Sequence, residues 1–269
     1  MADRAIPAAV AIAKFFECGI EILQCVQDPY EVPLQQRDLE PVKRRIRRAL
    51  PGVDLRVSVI VEPHAPAGIA AAAQHQLPVL ATGATVFELD RYVGSVAESV
   101  VRLSGQPAVI VGPAADTEHA FTVDRVAVPL DGSTLAESAI PLAVEWANEL
   151  DVPLHLLSVV PQTPTDADGP APVDVDYLRE TAASVEGAIQ PVTWHMMSSD
   201  NTAAALAEAA EDALLVLHTH GRTGLARIAV GSVATDVIRV ARRAVVLARP
   251  ELAEATGGDG AKHAAGAES

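Results

Sequence analysis

The chain is predicted to fold as two tandem α/β domains, each a parallel sheet with helices on both faces, and three observations predict it. Strand-length apolar runs alternate with helical patterns along most of the sequence, an order that brings each strand back parallel to the one before it. The core-forming residues are aliphatic: 49% of the 269 residues are hydrophobic and only 3% aromatic. That balance suits Val-, Leu- and Ile-rich strands buried on both faces. The sequence also repeats. Ala5-Ile6-Pro7 returns as Ala139-Ile140-Pro141, Ala9-Val10 as Ala143-Val144, Ala13 as Ala147, and Leu23 and Val26 as Leu157 and Val160, all at an offset of 134. Further on, GSVAESVVR (Gly94 to Arg102) returns as GSVATDVIR (Gly231 to Arg239) at an offset of 137. Two registers so close together mark a tandem duplication of a unit of roughly 135 residues.

The second unit shows the full order of elements. RVAVP (Arg125 to Pro129) is a short apolar strand, and an Asp-Gly-Ser turn follows it. TLAESAIPLAVEWANEL has helical spacing, with Pro141 as an early-helix residue or a kink. LHLLSVV is a strand, PQTPTDADGPAP a loop by its Pro, Asp and Gly content, and VDYLRETAASVEGA a helix. VTWHM, the helix NTAAALAEAAED and the strand ALLVL come next, then a helix from about Gly231 to Arg242 and a last strand, Ala244 to Ala248.

The first unit begins at the counterpart of the first helix, from Ile6 to about Phe16. It continues with IEILQCV, a basic helix, LRVSVIV, the helix PAGIAAAAQHQ, the strand PVLAT, a helix from Gly94 and the strand AVIV. Its counterpart of RVAVP and of the Asp-Gly turn is missing, so its sheet is expected to lack the first strand, leaving exposed edges unless something covers them. If translation begins upstream, a strand ending in a small polar turn is expected before Ala2. The predicted units are therefore 1–113, truncated, and 114–250, complete. The Gly-, Ala- and charge-rich stretch 251–269 is expected to be a disordered tail.

Charge and composition exclude several functions. A net charge of −15 argues against a nucleic-acid partner, which needs Lys and Arg against phosphates. A small anion is still admissible, because helix-terminal N–H groups act locally. The one basic cluster, Lys43, Arg44, Arg45, Arg47 and Arg48, shares a segment with Leu39, Val42, Ile46 and Leu50 at helical spacing. It reads as the solvated face of an amphipathic helix, with an anion or acidic-partner patch as the other reading. Cys18 and Cys25 stand at no metal-ligand spacing and are expected to be two buried thiols of a reduced, cytoplasmic protein. No apolar run reaches the roughly 18 residues of a membrane span. AIPAAVAIA lacks the basic lead of a signal peptide.

Ligands of open parallel sheets bind beyond the carboxyl ends of the strands, where strand order reverses. Two loops of the second unit belong there: Leu130-Asp131-Gly132-Ser133, and HTHGRTGLARIAVGS after ALLVL. An Asp can accept from a ribose or an adenine amino group, and Gly lets backbone approach a phosphate. The other reading makes Asp131 a helix cap and the glycines plain turns. His218 and His220, with His195 on a neighbouring strand, invite a metal reading, but no Cys or clear carboxylate completes a set. Phosphate-loop, dinucleotide-fold, HExxH and GxSxG patterns are absent from the sequence. No catalytic residue and no metal ligand is assigned.

The loop VPLDGS together with HGRTGLARIAVGSVATDVIRVARRAVVLARP resembles the universal stress protein family over nearly the whole second unit. The family's nucleotide-binding members carry GxxGx9G[ST]; here the second glycine is Gly221, the spacer runs from Arg222 to Val230, and the closing pair is Gly231-Ser232. The resemblance implies a flavodoxin-like (Rossmann-like) domain with strand order 3-2-1-4-5. It also implies a non-enzymatic stress-response or signalling protein that binds ATP or another adenine nucleotide, with or without Mg. Carried over by position, Pro129, Leu130 and Asp131 face ribose and adenine, and Val159 packs on adenine. Gly221, Gly231, Ser232 and the backbone of Val233 hold the phosphates. His218 stands where the family has its first glycine, crowding the phosphates or donating to them. In the first unit the pattern falls on Ala81, Ala84, Gly94 and Ser95, so no nucleotide is expected there. Its expected role is pairing with the second unit inside one chain, or in a homodimer. The alternatives are a nucleotide-free interaction module and a weak ATP hydrolase.

Overall fold

The computed structural model describes residues 2–82, 95–117, 121–162, 173–189, 191–218 and 231–248. The expected disordered tail lies outside them. A 3-10 turn, Ala2–Ala5, leads into α1 (Ile6–Phe15), β1 (Ile20–Val26), α2 (Val32–Asp38), α3 (Glu40–Ala49), β2 (Leu55–Val61), α4 (Ala65–Ala72), β3 (Val79–Ala81), α5 (Ser95–Ser104) and β4 (Ala108–Val111). The second half contributes β5 (Arg125–Pro129), α6 (Thr134–Glu137), α7 (Ile140–Glu149), β6 (Leu154–Val160), α8 (Val175–Val185), β7 (Val192–Ser198), α9 (Thr202–Ala209), β8 (Ala213–His218), α10 (Ser232–Val240) and β9 (Val245–Ala248).

Strand pairing gives a seven-stranded sheet in the order β3-β4-β9-β8-β5-β6-β7 and a separate two-stranded sheet, β1-β2. Within the second half the order β7-β6-β5-β8-β9 is the expected 3-2-1-4-5, and every pairing there is parallel. The strands of the first half are divided between the two sheets. β1 and β2 pair in register from Ile20 with Leu55 to Val26 with Val61, while β3 and β4 join the larger sheet. The join is antiparallel, the last strand of one repeat against the last strand of the other, with Ala108 opposite Leu247 and Ile110 opposite Val245. Pairing between the units thus occurs within one chain.

Strand alternation sorts the core into two faces. Val109, Val111, Val126, Val128, Leu154, Leu156, Leu214, Val216 and Val246 meet α1, α7 and α8 on one side. Ala108, Ile110, Ala127, Leu157, Leu215, Leu217, Val245 and Leu247 meet α5, α9 and α10 on the other. Both cores cross the repeat boundary. Phe16 reaches Trp146 edge-to-face at 5.3 Å. Arg4 donates from Nη2 to the carbonyls of Gly112, Pro113 and Ala115 at 3.1, 2.5 and 3.2 Å, and Asp116 N–H donates to Arg242 O at 2.9 Å. A Cβ on Gly112 would stand 1.7 Å from the Ile238 carbonyl, so only glycine lets β4 end against α10.

Two expectations need correction, and the basic helix stands. The long helix with Pro141 is two helices: Ser133 caps α6, the chain breaks after Glu137, and α7 starts with Pro141 in its first turn, where a missing N–H removes no helical bond. The basic segment is the single amphipathic helix expected, α3, with the short α2 ahead of it. In α3, Ile46 is buried and Arg44, Arg45, Arg47 and Arg48 are exposed, while Lys43 pairs with Glu40 at 2.5 Å. The cysteines are not both buried, since Cys18 is exposed and Cys25 half-buried. Burial raises the Cys25 thiol, with Glu62 adding to the effect.

Candidate functional site

The switch in strand order lies between β5 and β8, so the carboxyl ends of these two strands open the crevice. β5 is buried through Val126, Ala127 and Val128, and Arg125 pins its start to Asp212, just before β8, by a bidentate pair at 2.7 Å. The register Arg125–Ala213 to Ala127–Leu215, continued by three residues, puts His218 level with Leu130. On the other side Pro129 faces Leu157, and two further residues put Val159 level with Asp131. The fold thus brings Leu130, Asp131, Val159 and His218 to one end of three adjacent strands, which run about 4.8 Å apart.

The turn after β5 is built from its own sequence. Leu130 is buried, and its N–H donates to Leu157 O at 2.7 Å. Gly132 has φ +77°, a conformation glycine adopts without penalty. Asp131 is exposed, and its Oδ1 accepts from Ser133 N–H at 3.0 Å and from Ser133 Oγ at 2.5 Å. Ser133 Oγ in turn accepts from Ala136 N–H at 3.1 Å. The helix cap is therefore Ser133, not Asp131. Asp131 braces the cap, while its Oδ2 makes no hydrogen bond among the described residues and is left to face outward.

On the β8 side, Gly231 is the N-cap of α10 and uses no side chain in capping. Thr235 N–H donates back to Gly231 O at 2.9 Å. The N–H groups of Ser232, Val233 and Ala234 precede the first intrahelical bond and have no carbonyl one turn back. Ser232 and Val233 are exposed, so this turn of N–H groups reaches solvent, with the positive end of the helix dipole behind it. His218 is buried at the end of β8, beside Ala248 of β9. Gly221 and the spacer from Arg222 to Val230 lie outside the described residues, as do His220 and the first-unit positions Ala84 and Gly94. Val159 is half-buried and packs beside the face of the core under α9 and α10.

Sequence reasoning missed Val173 and Tyr177, which follow a loop without pattern. A Cβ on Gly132 would come 3.1 Å from Val173, so Val173 overlies the Asp131 turn. Asp174 caps α8 by accepting from Tyr177 N–H, and Tyr177 Oη donates to Glu137 at 2.7 Å. Burial first, and then the Glu137 carboxylate, hold the Tyr177 phenol far above its ordinary value, with Asp131 adding to the rise. Tyr177 is therefore a neutral donor that clamps α8 onto α6 beside the crevice. The spacing rules His195 out as a companion of His218: β5 and β6 intervene, a separation of about 14 Å. Among the described residues no three His, Cys, Asp or Glu side chains converge as a metal set, and no helix is long and apolar enough to cross a membrane.

Comparison with known families matches residues 122–249 to the universal stress protein family. No curated protein matches the chain. Among solved structures, a universal stress protein from Archaeoglobus fulgidus DSM 4304 is similar over 92% of this chain and 94% of its own, at 19% identity and a TM-score of 0.64. A candidate universal stress protein from Pseudomonas aeruginosa UCBPP-PA14 is similar over 90% of this chain and 86% of its own, at 16% identity and a TM-score of 0.58. At these identities the likeness is one of fold, and it extends through both repeats.

Proposed function

We propose, from the match of residues 122–249 to the universal stress protein family, that the chain binds one adenine nucleotide, ATP or AMP, in its second half. The reading is carried by two complementary groups on the elements that follow β5 and β8. An outward carboxylate oxygen on Asp131 suits a ribose hydroxyl, and the exposed first turn of α10, headed by Gly231, suits phosphate oxygens. Pro129, Leu130 and Val159 offer apolar surface to the adenine ring. Gly221 would complete the phosphate loop. Mg would accompany the phosphates, with no protein metal set assigned to it.

In this reading the protein is a cytoplasmic binding protein of stress response or signalling and not a catalyst. Its output would be a shift between states of different nucleotide affinity. Calorimetric titration with ATP and with AMP tests it. Saturable heat is expected, and Asp131→Ala should weaken binding by about tenfold or more, the worth of a charge-assisted hydrogen bond. Absence of heat and of thermal shift at millimolar nucleotide would defeat the proposal.

A buried imidazole at the end of β8, where the family pattern has glycine, favours a second reading: an interaction module with no nucleotide. If His218 closes the site, His218→Gly should bind ATP where the unaltered protein does not.

A further inference from the structure

Tyr177 and Asp131 stand on different elements, yet a run of hydrogen bonds through α6 joins them. α6 is a single turn with no buried residue, too short to hold its shape alone, whereas α8 is anchored by the buried Leu178 and Ala182. Tyr177 Oη donates to Glu137 Oε1 at 2.7 Å and so ties the end of α6 to α8. Glu137 N–H donates to Ser133 O at 3.1 Å, and Ala136 N–H donates to Ser133 Oγ at 3.1 Å. Ser133 in turn gives both its N–H and its hydroxyl hydrogen to Asp131 Oδ1. Val173, beside the Asp174 cap of α8, lies close over Gly132 of the same turn. The setting of the Asp131 carboxylate therefore depends on α8, which belongs to neither loop of the crevice.

We propose that Tyr177 is a positioning residue for the nucleotide: its bond to Glu137 holds α6 in place and, through the Ser133 cap, fixes the direction in which Asp131 Oδ2 meets a ligand hydroxyl. The inference rests on the nucleotide reading and adds a residue that sets its affinity without touching the ligand. Oδ1 already accepts two hydrogens from Ser133, which occupies both of its lone pairs. Asp131 is thus left to receive a ligand through Oδ2 alone, and a single acceptor tolerates little rotation of the carboxylate because hydrogen bonds weaken steeply with angle. Loosening α6 moves Ser133, and the carboxylate turns with it. The clamp is also insensitive to the pH of an ordinary assay, since burial and then Glu137 keep the Tyr177 phenol protonated.

The test titrates the full chain with ATP by calorimetry. Tyr177→Phe keeps the ring and removes the donor, so ATP affinity should fall about threefold to tenfold. In an Asp131→Ala background the same substitution should change affinity by less than about twofold, because the group it positions has gone. Glu137→Ala should reproduce the loss, and Glu137→Gln, which keeps an accepting oxygen, should restore most of it. Without nucleotide, Tyr177→Phe should speed amide exchange at Ser133, Ala136 and Glu137 about tenfold. Unchanged ATP affinity in Tyr177→Phe, or unchanged exchange at those amides, would overturn the proposal and leave the nucleotide reading intact. An equal loss of affinity with and without Asp131 would also overturn it, because a general weakening of the fold or a direct contact with ATP would act in that way. An unaltered chain that binds no ATP would defeat both the nucleotide reading and this one.

Discussion

His155 stands apart from the candidate site, and its burial is expected to shape how the second domain responds to acid. It is buried on β6, its Nδ1 is 2.7 Å from Thr193 Oγ1, and burial first, then the Arg125 charge, push its pKa below the ordinary 6.5. A depressed histidine is neutral in the fold and protonated more readily when unfolded. Its contribution is present above about pH 6.5 and is lost as pH falls through the lower folded value. His155→Gln should therefore flatten the fall in Tm between pH 7 and 5, read by calorimetry, and parallel curves for both proteins would refute this. Among single residues, legibility followed locality. Asp131, Gly132 and Gly231 were readable because turn and cap chemistry is written in adjacent residues. The exchange of roles between Asp131 and Ser133 was not, because both side chains can cap and only the turn geometry chooses between them. Cys18 looked buried from its apolar neighbours, but it follows the end of α1, where the helical stripe no longer dictates burial.

At the scale of elements, periodicity carried the strands and most helices, and the repeat carried their equivalence. Two features escaped because they arise between elements distant in sequence. Gly112 shows no local reason for glycine, yet it lies against the Ile238 carbonyl at the end of α10. Gly112→Ala must displace backbone, so it should destabilise by about 2 kcal/mol, measured by urea unfolding. A change below about 0.5 kcal/mol would mean that the two elements can separate freely. The Tyr177–Glu137 clamp likewise joins α8 to α6 across a long loop, and neither residue announces the other in the sequence.

The described residues form one seven-stranded sheet with a core on each face, plus a two-stranded sheet beside it. Amide exchange should reflect that division. Protection should be greatest in β4, β5, β8 and β9, whose strands are buried along nearly their full length, and much weaker in β1 and β2. Equal protection across both sheets would refute this division. The equivalence of the two repeats was legible from the sequence alone. The way the first repeat's strands divide, two detached and two joined to the neighbouring repeat, was not, because it depends on which edges find partners in three dimensions.

The antiparallel junction of β4 with β9 also has a consequence for dosage. Two separate subunits joined along such an edge would come apart as their abundance falls, whereas strands tethered in one chain meet at an effective concentration fixed by the linker. Pairing of the two repeats is therefore expected to be independent of expression level. With pairing guaranteed by covalent connection, the first repeat needs to preserve only the edge that meets its neighbour, and the rest of it is free to diverge.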